Sequence, residues 1–135
     1  MKLYHGTNSE FTNKLQSKLD IIDVSIGRGE LGKGFYTSPD CGLVSIWAYG
    51  KHKEKASIIE FTLDEFEYMK LDIHMIKLRS EVRDIYFSDQ HKIFNVDVVE
   101  GPYWTIESRI QHKFESRKSE ILLNKSISRI NEISK

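Results

Sequence analysis

Between Ile26 and Phe35 the chain reads Gly27-Arg28-Gly29-Glu30-Leu31-Gly32-Lys33-Gly34, four glycines in eight residues. Glycine loses more backbone freedom than any other residue on entering a helix or strand, and it has no Cβ to pack there. The run therefore predicts irregular backbone, with the regular elements lying on either side of it. It is neither a dinucleotide fingerprint nor a P-loop, because the glycine spacing is wrong and no apolar strand feeds a helix across it. Its far end passes into Phe35-Tyr36-Thr37, a short extended segment. The opening run Leu3-Tyr4-His5-Gly6-Thr7 is similar, setting a glycine directly after an imidazole. At such places the main chain is bare beside a ring, and a ligand can hydrogen-bond N–H and C=O groups directly. A flat, amide-bearing heterocycle suits the slot, with Tyr36 as a stacking face and Gly6 as a donor–acceptor pair. The expectation is that the two runs build one pocket.

Bulk properties set the limits. A chain of 135 residues is long enough for one domain with a core of its own. Hydrophobic content of 39% and charged content of 30% predict a globular fold and argue against disorder. Lys and Arg, 20, balance Asp and Glu, 20, so no global field draws the chain to nucleic acid or to a membrane. The single cysteine, Cys41, excludes an intrachain disulfide and is read as a half-buried structural thiol. No Cys/His cluster has metal-ligand spacing; His52, His74, His91 and His112 are scattered and read as surface or structural. No apolar run reaches membrane-spanning length, and Met1-Lys2-Leu3-Tyr4 lacks the apolar region of a signal peptide, which predicts a cytoplasmic protein.

Along the chain, residues 2–7 read as a strand. Phe11, Leu15 and Leu19 sit at helical spacing behind Ser9, a candidate cap, which predicts a helix over 9–20. Residues 21–26 are a short strand or a loop wall. Ser38-Pro39-Asp40 opens a helix with Ser38 as cap, burying Leu43, Val44, Trp47 and Ala48 and stopping near Gly50. Ala56 to Leu63 alternates as a strand, and Glu67 to Ile73 repeats the pattern. Met75, Leu78, Val82 and Ile85 favour a helix within 74–91. Lys92 to Val99 and Thr105 to Phe114 alternate as two more strands, the first ended by Gly101-Pro102. Ile121, Leu122, Ile127, Ile130 and Ile133 predict a terminal amphipathic helix over 116–134. Strands interrupted by three or four helices point to an α+β or mixed α/β fold. The cluster Lys51, His52, Lys53 and Lys55 reads as a solvated helix end, and Trp47 and Trp104 as core residues.

Leu3-Tyr4-His5-Gly6-Thr7, then Gly32-Lys33-Gly34-Phe35-Tyr36, then a helix containing Trp47-Ala48, resembles the ADP-ribosyltransferase superfamily. The likeness is to its histidine–tyrosine–glutamate branch, which includes diphtheria toxin and the poly(ADP-ribose) polymerases. Within that branch the nearest pattern is that of small bacterial members whose late motif begins with Gln; Gln111, Phe114 and Ser116 match its spacing. The resemblance implies a split β-sheet core with flanking helices and NAD as substrate. It implies that His5 binds the ribose on the adenosine side and that the Gly6 backbone holds the nicotinamide carboxamide. Tyr36 stacks on the nicotinamide ring, and Tyr4, Thr7 and Phe35 help to wall the pocket. Arg28 and Lys33 lie nearest the expected pyrophosphate, and Gln111 falls where the family places its catalytic carboxylate. A neutral Gln111 cannot act as a base, so either transfer proceeds without one or Glu107 or Glu115 supplies it. The implied activity is mono-ADP-ribosyl transfer to a protein or nucleic-acid acceptor, in a bacterial toxin paired with an antitoxin protein or serving phage defence. NAD hydrolysis and a non-catalytic binding module are the alternatives.

Overall fold

The computed structural model describes residues 1–132. The elements in chain order are β1 (Lys2–Asn8), α1 (Ser9–Gln16), β2 (Arg28–Gly29), β3 (Gly32–Lys33), β4 (Phe35–Thr37), α2 (Cys41–His52), β5 (Ala56–Thr62), α3 (Glu65–Met69), β6 (Ile73–Met75), α4 (Arg79–Ser88), β7 (Val98–Pro102), β8 (Ile110–Phe114), α5 (Arg117–Lys125) and β9 (Ile127–Glu132). The fold is mixed α+β, as expected. Two sheets carry it, one of order β1-β5-β9 and one of order β4-β8-β7-β6, while β2 and β3 form a small hairpin. Among the described residues a single bridge, Tyr4 to Ser38, runs between β1 and the second sheet. Among the described residues no helix is long and apolar enough to cross a membrane.

The main core lies where the two sheets meet. Leu3, Ile59 and Phe61 from the first sheet pack with Phe35, Val98 and Phe114 from the second, under Leu122 and Leu123 of α5. Each such side chain, fully buried, contributes about 1.5–3 kcal/mol of transfer free energy. Helix α2 covers the outside of the first sheet, with Val44 and Ala48 on Ala56 and Ile58. Gly6 of β1 sits directly beneath it. A Cβ there would lie 2.9 Å from the Ala48 Cβ and 3.2 Å from the Val44 carbonyl, so the close approach of helix to strand itself demands glycine.

Several elements differ from their sequence reading, each for a local reason. Of the strand expected over 67–73 only Ile73 is in one, opening β6, because the Asp64 side chain caps the Glu67 N–H at 3.0 Å and starts the one-turn helix α3. Residues 92–97 are not a strand. The Glu115 carboxylate takes the N–H groups of Phe94 and Val96, at 2.8 and 3.2 Å, and Asn95 adopts a φ of 59°. Only the end of 105–114 is strand (β8), since Ser108 also turns through a φ of 59°. The helix expected over 74–91 is shortened to α4, with Met75 in a parallel strand beside β7.

The terminal helix expected over 116–134 stops at Lys125 and is followed by β9; Ile133 and Ser134 lie outside the described residues. A bulge explains why the spacing misleads. Ile59 and Phe61, two apart on β5, face Ile130 and Ile127, three apart on β9. One inserted residue thus gives a strand the i, i+3 pattern of a helix. The caps also differ, with Asn8 rather than Ser9 opening α1 and Asp40 rather than Ser38 opening α2. Leu19 lies outside α1 and is exposed, as is Cys41. Trp47 is 41% exposed rather than core, whereas His112 is buried against Glu100.

Candidate active site

The site begins at the point where the two sheets part. Tyr4 exchanges both backbone hydrogen bonds with Ser38, N–H to O at 2.8 Å and O from N–H at 3.0 Å. Its amide and carbonyl therefore face β4, and in an antiparallel ladder residues two apart face the same way. Gly6 consequently also faces β4, away from its partner Ile58 on β5. Continuing the register would set Gly6 opposite Tyr36, but among the described residues the only bridge here is the one at Tyr4. The strands have diverged, and the Gly6 N–H and C=O look into the opening. Elsewhere in β1 such a pair would be consumed by the ladder.

His5 spans the same opening. Its Nδ1 lies 2.6 Å from the Tyr36 carbonyl, and its ring stacks on Phe35 with centroids 4.0 Å apart. A carbonyl can only accept, so Nδ1 carries the proton and Nε2 is left as an acceptor. Burial pushes the imidazole pKa down to about 4, with Lys51 and His52 adding to the effect against the Tyr36 bond, so the ring is neutral at physiological pH. The Nε2 atom has no protein partner among the described residues and keeps solvent access. It is suited to receive a hydroxyl.

Tyr36 closes the other side. Its hydroxyl donates to the Gly32 carbonyl at 2.5 Å and accepts from the Leu31 N–H at 2.9 Å, so the ring is pinned to the turn between β2 and β3. Burial pushes its phenol far above the usual range, which keeps it neutral. Gly29 lies flat against the ring; a Cβ there would fall 2.7 Å from Tyr36 Cζ. Gly29 thus lets the hairpin lie on the tyrosine, whereas Gly32, at a φ of 90°, and Gly34 make room for Lys92 and Lys113. Beneath the hairpin, the buried Lys113 ammonium holds the Lys33 carbonyl at 3.0 Å and is paired with Glu115.

Three adjoining depressions share the Tyr36 ring. The first, about 180 Å³, is lined by His5, Gly6, Tyr36, Trp47 and Tyr103 and has room for one small ring. The second, about 480 Å³, extends past Thr7, Phe11, Arg28 and Phe35, with Lys51 and His52 on its rim as on that of the first. The third, about 520 Å³, shares Tyr36, Trp47 and Tyr103 with the first and is bounded beyond them by Glu30, Tyr86 and Gln111.

Most of the expected residues meet here. Tyr4, His5, Gly6, Thr7, Arg28, Phe35 and Tyr36 line the first two depressions and Gln111 the third. Lys33 does not; its side chain lines none of the three, and its backbone is tied to Lys92 and Lys113. Glu107 and Glu115 are also elsewhere. Glu107 is exposed and pairs with Arg79, while Glu115 is buried with Lys113 and braces the 94–96 loop. Regular alternation from Gln111 fails at both, because β8 covers only Ile110–Phe114.

The carboxylate that does reach Gln111 is Glu30, at the hairpin tip. Glu30 Oε1 accepts from Gln111 Nε2 at 3.2 Å and from the Trp104 N–H at 2.6 Å; Oε2 accepts from the Thr105 hydroxyl at 2.6 Å. Gln111 Nε2 also donates to the Pro102 carbonyl at 3.0 Å. Two acceptors on one side fix the amide orientation, leaving Oε1 without a partner among the described residues. Sequence reading missed Glu30, because an acidic residue at a glycine-rich tip is ordinary and its partner lies 81 positions away. It also missed Lys51 and His52, read as a solvated helix end. No protein-family model and no curated protein sequence matches the chain.

Proposed function

We propose that the chain is an NAD-dependent mono-ADP-ribosyltransferase of the histidine–tyrosine–glutamate type, with Gln111 at the third position. The observation that carries the reading is the parting of β1 from β4. It leaves an unpaired backbone donor and acceptor at Gly6 beside the anchored Tyr36 ring, the combination a pyridine carboxamide needs. On this reading the carboxamide pairs with the Gly6 N–H and C=O, and the ring stacks on Tyr36. His5 Nε2 accepts a ribose hydroxyl. Arg28 and Lys51 line the second depression, and their two positive charges, against the single negative charge of Asp23, favour the diphosphate.

Breaking the bond from ribose C1′ to nicotinamide builds positive charge on the ribose while the neutral ring departs. A bent dinucleotide, a polarised carboxamide and acceptors near the ribose each lower that barrier. The free Gln111 Oε1 is such an acceptor, oriented in advance by Glu30. Glu30 is the carboxylate beside Gln111. It supplies the negative charge that Gln111 lacks, from a different element than the one expected.

Incubation with NAD tests this by following free nicotinamide. Release that depends on cell extract and is lost in Tyr36→Ala supports transfer. Release without extract points to water as acceptor. Thermal stabilisation by NAD without any release reduces the cleft to a nucleotide-binding module.

A further inference from the structure

The third depression is chemically unlike the other two. Lys51 and His52 line the first and the second, and Arg28 the second, whereas no Lys, Arg or His lines the third. Its walls are the rings of Tyr36, Trp47, Tyr86 and Tyr103, with Trp47 edge-on to Tyr103 at 5.0 Å. Glu30 sits among them, and among the described residues no cation lies within 4 Å of its carboxylate. Arg79, Arg83 and Arg109, on adjoining segments, pair with Glu107 at 3.3 Å, Asp84 at 3.3 Å and Asp40 at 2.6 Å. Only neutral donors hold Glu30, namely Trp104, Thr105 and Gln111. Gln111, 1% exposed, also lines the cavity, and its Oε1, without a partner among the described residues, is another acceptor rather than a donor.

An uncompensated carboxylate, a spare amide oxygen and a set of aromatic faces attract a flat cation. Ring faces draw a guanidinium through their quadrupoles, and a carboxylate and an amide oxygen accept from its fixed fork of N–H groups. A phosphate-bearing acceptor finds no positive charge in this wall.

We infer that the cavity bounded by Tyr36, Trp47, Tyr103, Glu30 and Gln111 is a guanidinium-binding subsite that receives an arginine side chain as the acceptor of transfer. The acceptor role rests on the transferase reading; the binding step does not. In transfer, a guanidinium nitrogen bonds to ribose C1′ as the C1′–nicotinamide bond breaks. The bonding pair leaves with the neutral nicotinamide, and the proton shed by the guanidinium passes to Glu30 and then to water.

The test uses three acetylated, amidated peptides with a central arginine, lysine or citrulline between glycines, titrated without NAD against the full chain. Nuclear magnetic resonance follows the Gln111 side-chain amide and the Trp47 indole N–H. Saturable shifts with the arginine peptide are expected, with binding about tenfold weaker for lysine and at least as weak for the neutral citrulline. In Glu30→Gln the preference for arginine over citrulline should vanish, and in Trp47→Leu all affinities should fall. Should Glu30→Gln misfold, the arginine-to-citrulline comparison in the unmodified chain still decides. Equal binding of arginine and citrulline, or no shift at either reporter, overturns the subsite. With NAD and extract, label mapped by mass spectrometry to any group other than arginine overturns this inference and leaves the transferase reading intact. Arginine binding without any nicotinamide release does the reverse.

Discussion

Gly29→Ala isolates the contact on which the site depends. The new Cβ would lie 2.7 Å from Tyr36 Cζ, 2.9 Å from Cε2 and 3.0 Å from Cε1. Ordinary carbon contacts are about 3.5–4.0 Å, so ring or hairpin must yield by about 1 Å. The ring cannot slide along its own plane, because Leu31 and Gly32 grip its hydroxyl. It can only be driven toward the depressions it lines. Overpacking of this kind costs about 1–3 kcal/mol, a sizeable part of a total stability of about 5–15 kcal/mol. The melting temperature should fall by about 4 °C per kcal/mol lost. Loss of a well-placed stack weakens a ring ligand by a further ~0.5–1.5 kcal/mol, and NAD affinity should drop by about 2–10-fold. Thermal melts with and without NAD, together with nicotinamide release, read both effects. The control is Gly50→Ala on α2, where a Cβ meets nothing within 4 Å. It should stabilise by about 0.5–1 kcal/mol, because only helix propensity changes. Equal melting temperature and equal NAD response in Gly29→Ala and the parent chain would refute the packing of the hairpin on Tyr36.

Three further outcomes follow from the same geometry. In the unfolded chain His5 titrates near pH 6.5, but in the folded protein only near pH 4, so between these values the unfolded state holds more protons. Stability should therefore decline as pH falls from 6.5 to 4 and be flat above, by at most about 3 kcal/mol; denaturant midpoints at pH 7 and pH 5 should converge in His5→Asn. Gln111→Glu should not simply gain turnover, because the new carboxylate faces Glu30 and the Pro102 carbonyl with no donor. The single variant should lose about 1–3 kcal/mol of stability, and the exchange Glu30→Gln with Gln111→Glu should recover much of it, as read by denaturant unfolding. Lys113→Met leaves the Glu115 carboxylate, 3% exposed, without its cation. It should destabilise by about 3–5 kcal/mol, with Lys113→Met/Glu115→Gln less affected than the single change.

What the chain's own order of residues determined is the local chemistry. Four glycines ahead of Phe35-Tyr36 required a backbone that no long helix or strand crosses, and a hairpin resting on the tyrosine ring satisfies it. His5-Gly6 and Tyr36 were legible as partners, because a bare backbone beside a ring is a property of neighbouring residues. Periodicity located β1, α2 and β5 for the same reason: a core face repeats along a single element. Where one residue broke the period, the reading failed. The bulge in β9 imitated helical spacing, and the Asp64 cap turned an alternating run into α3. Charge pairing was decided by tertiary structure alone. Glu30 meets Gln111 across 81 positions, Lys51 and His52 turn toward the cleft, and Glu115 withdraws to Lys113. A carboxylate's role depends on which donors surround it, and those donors are assembled only when distant segments pack.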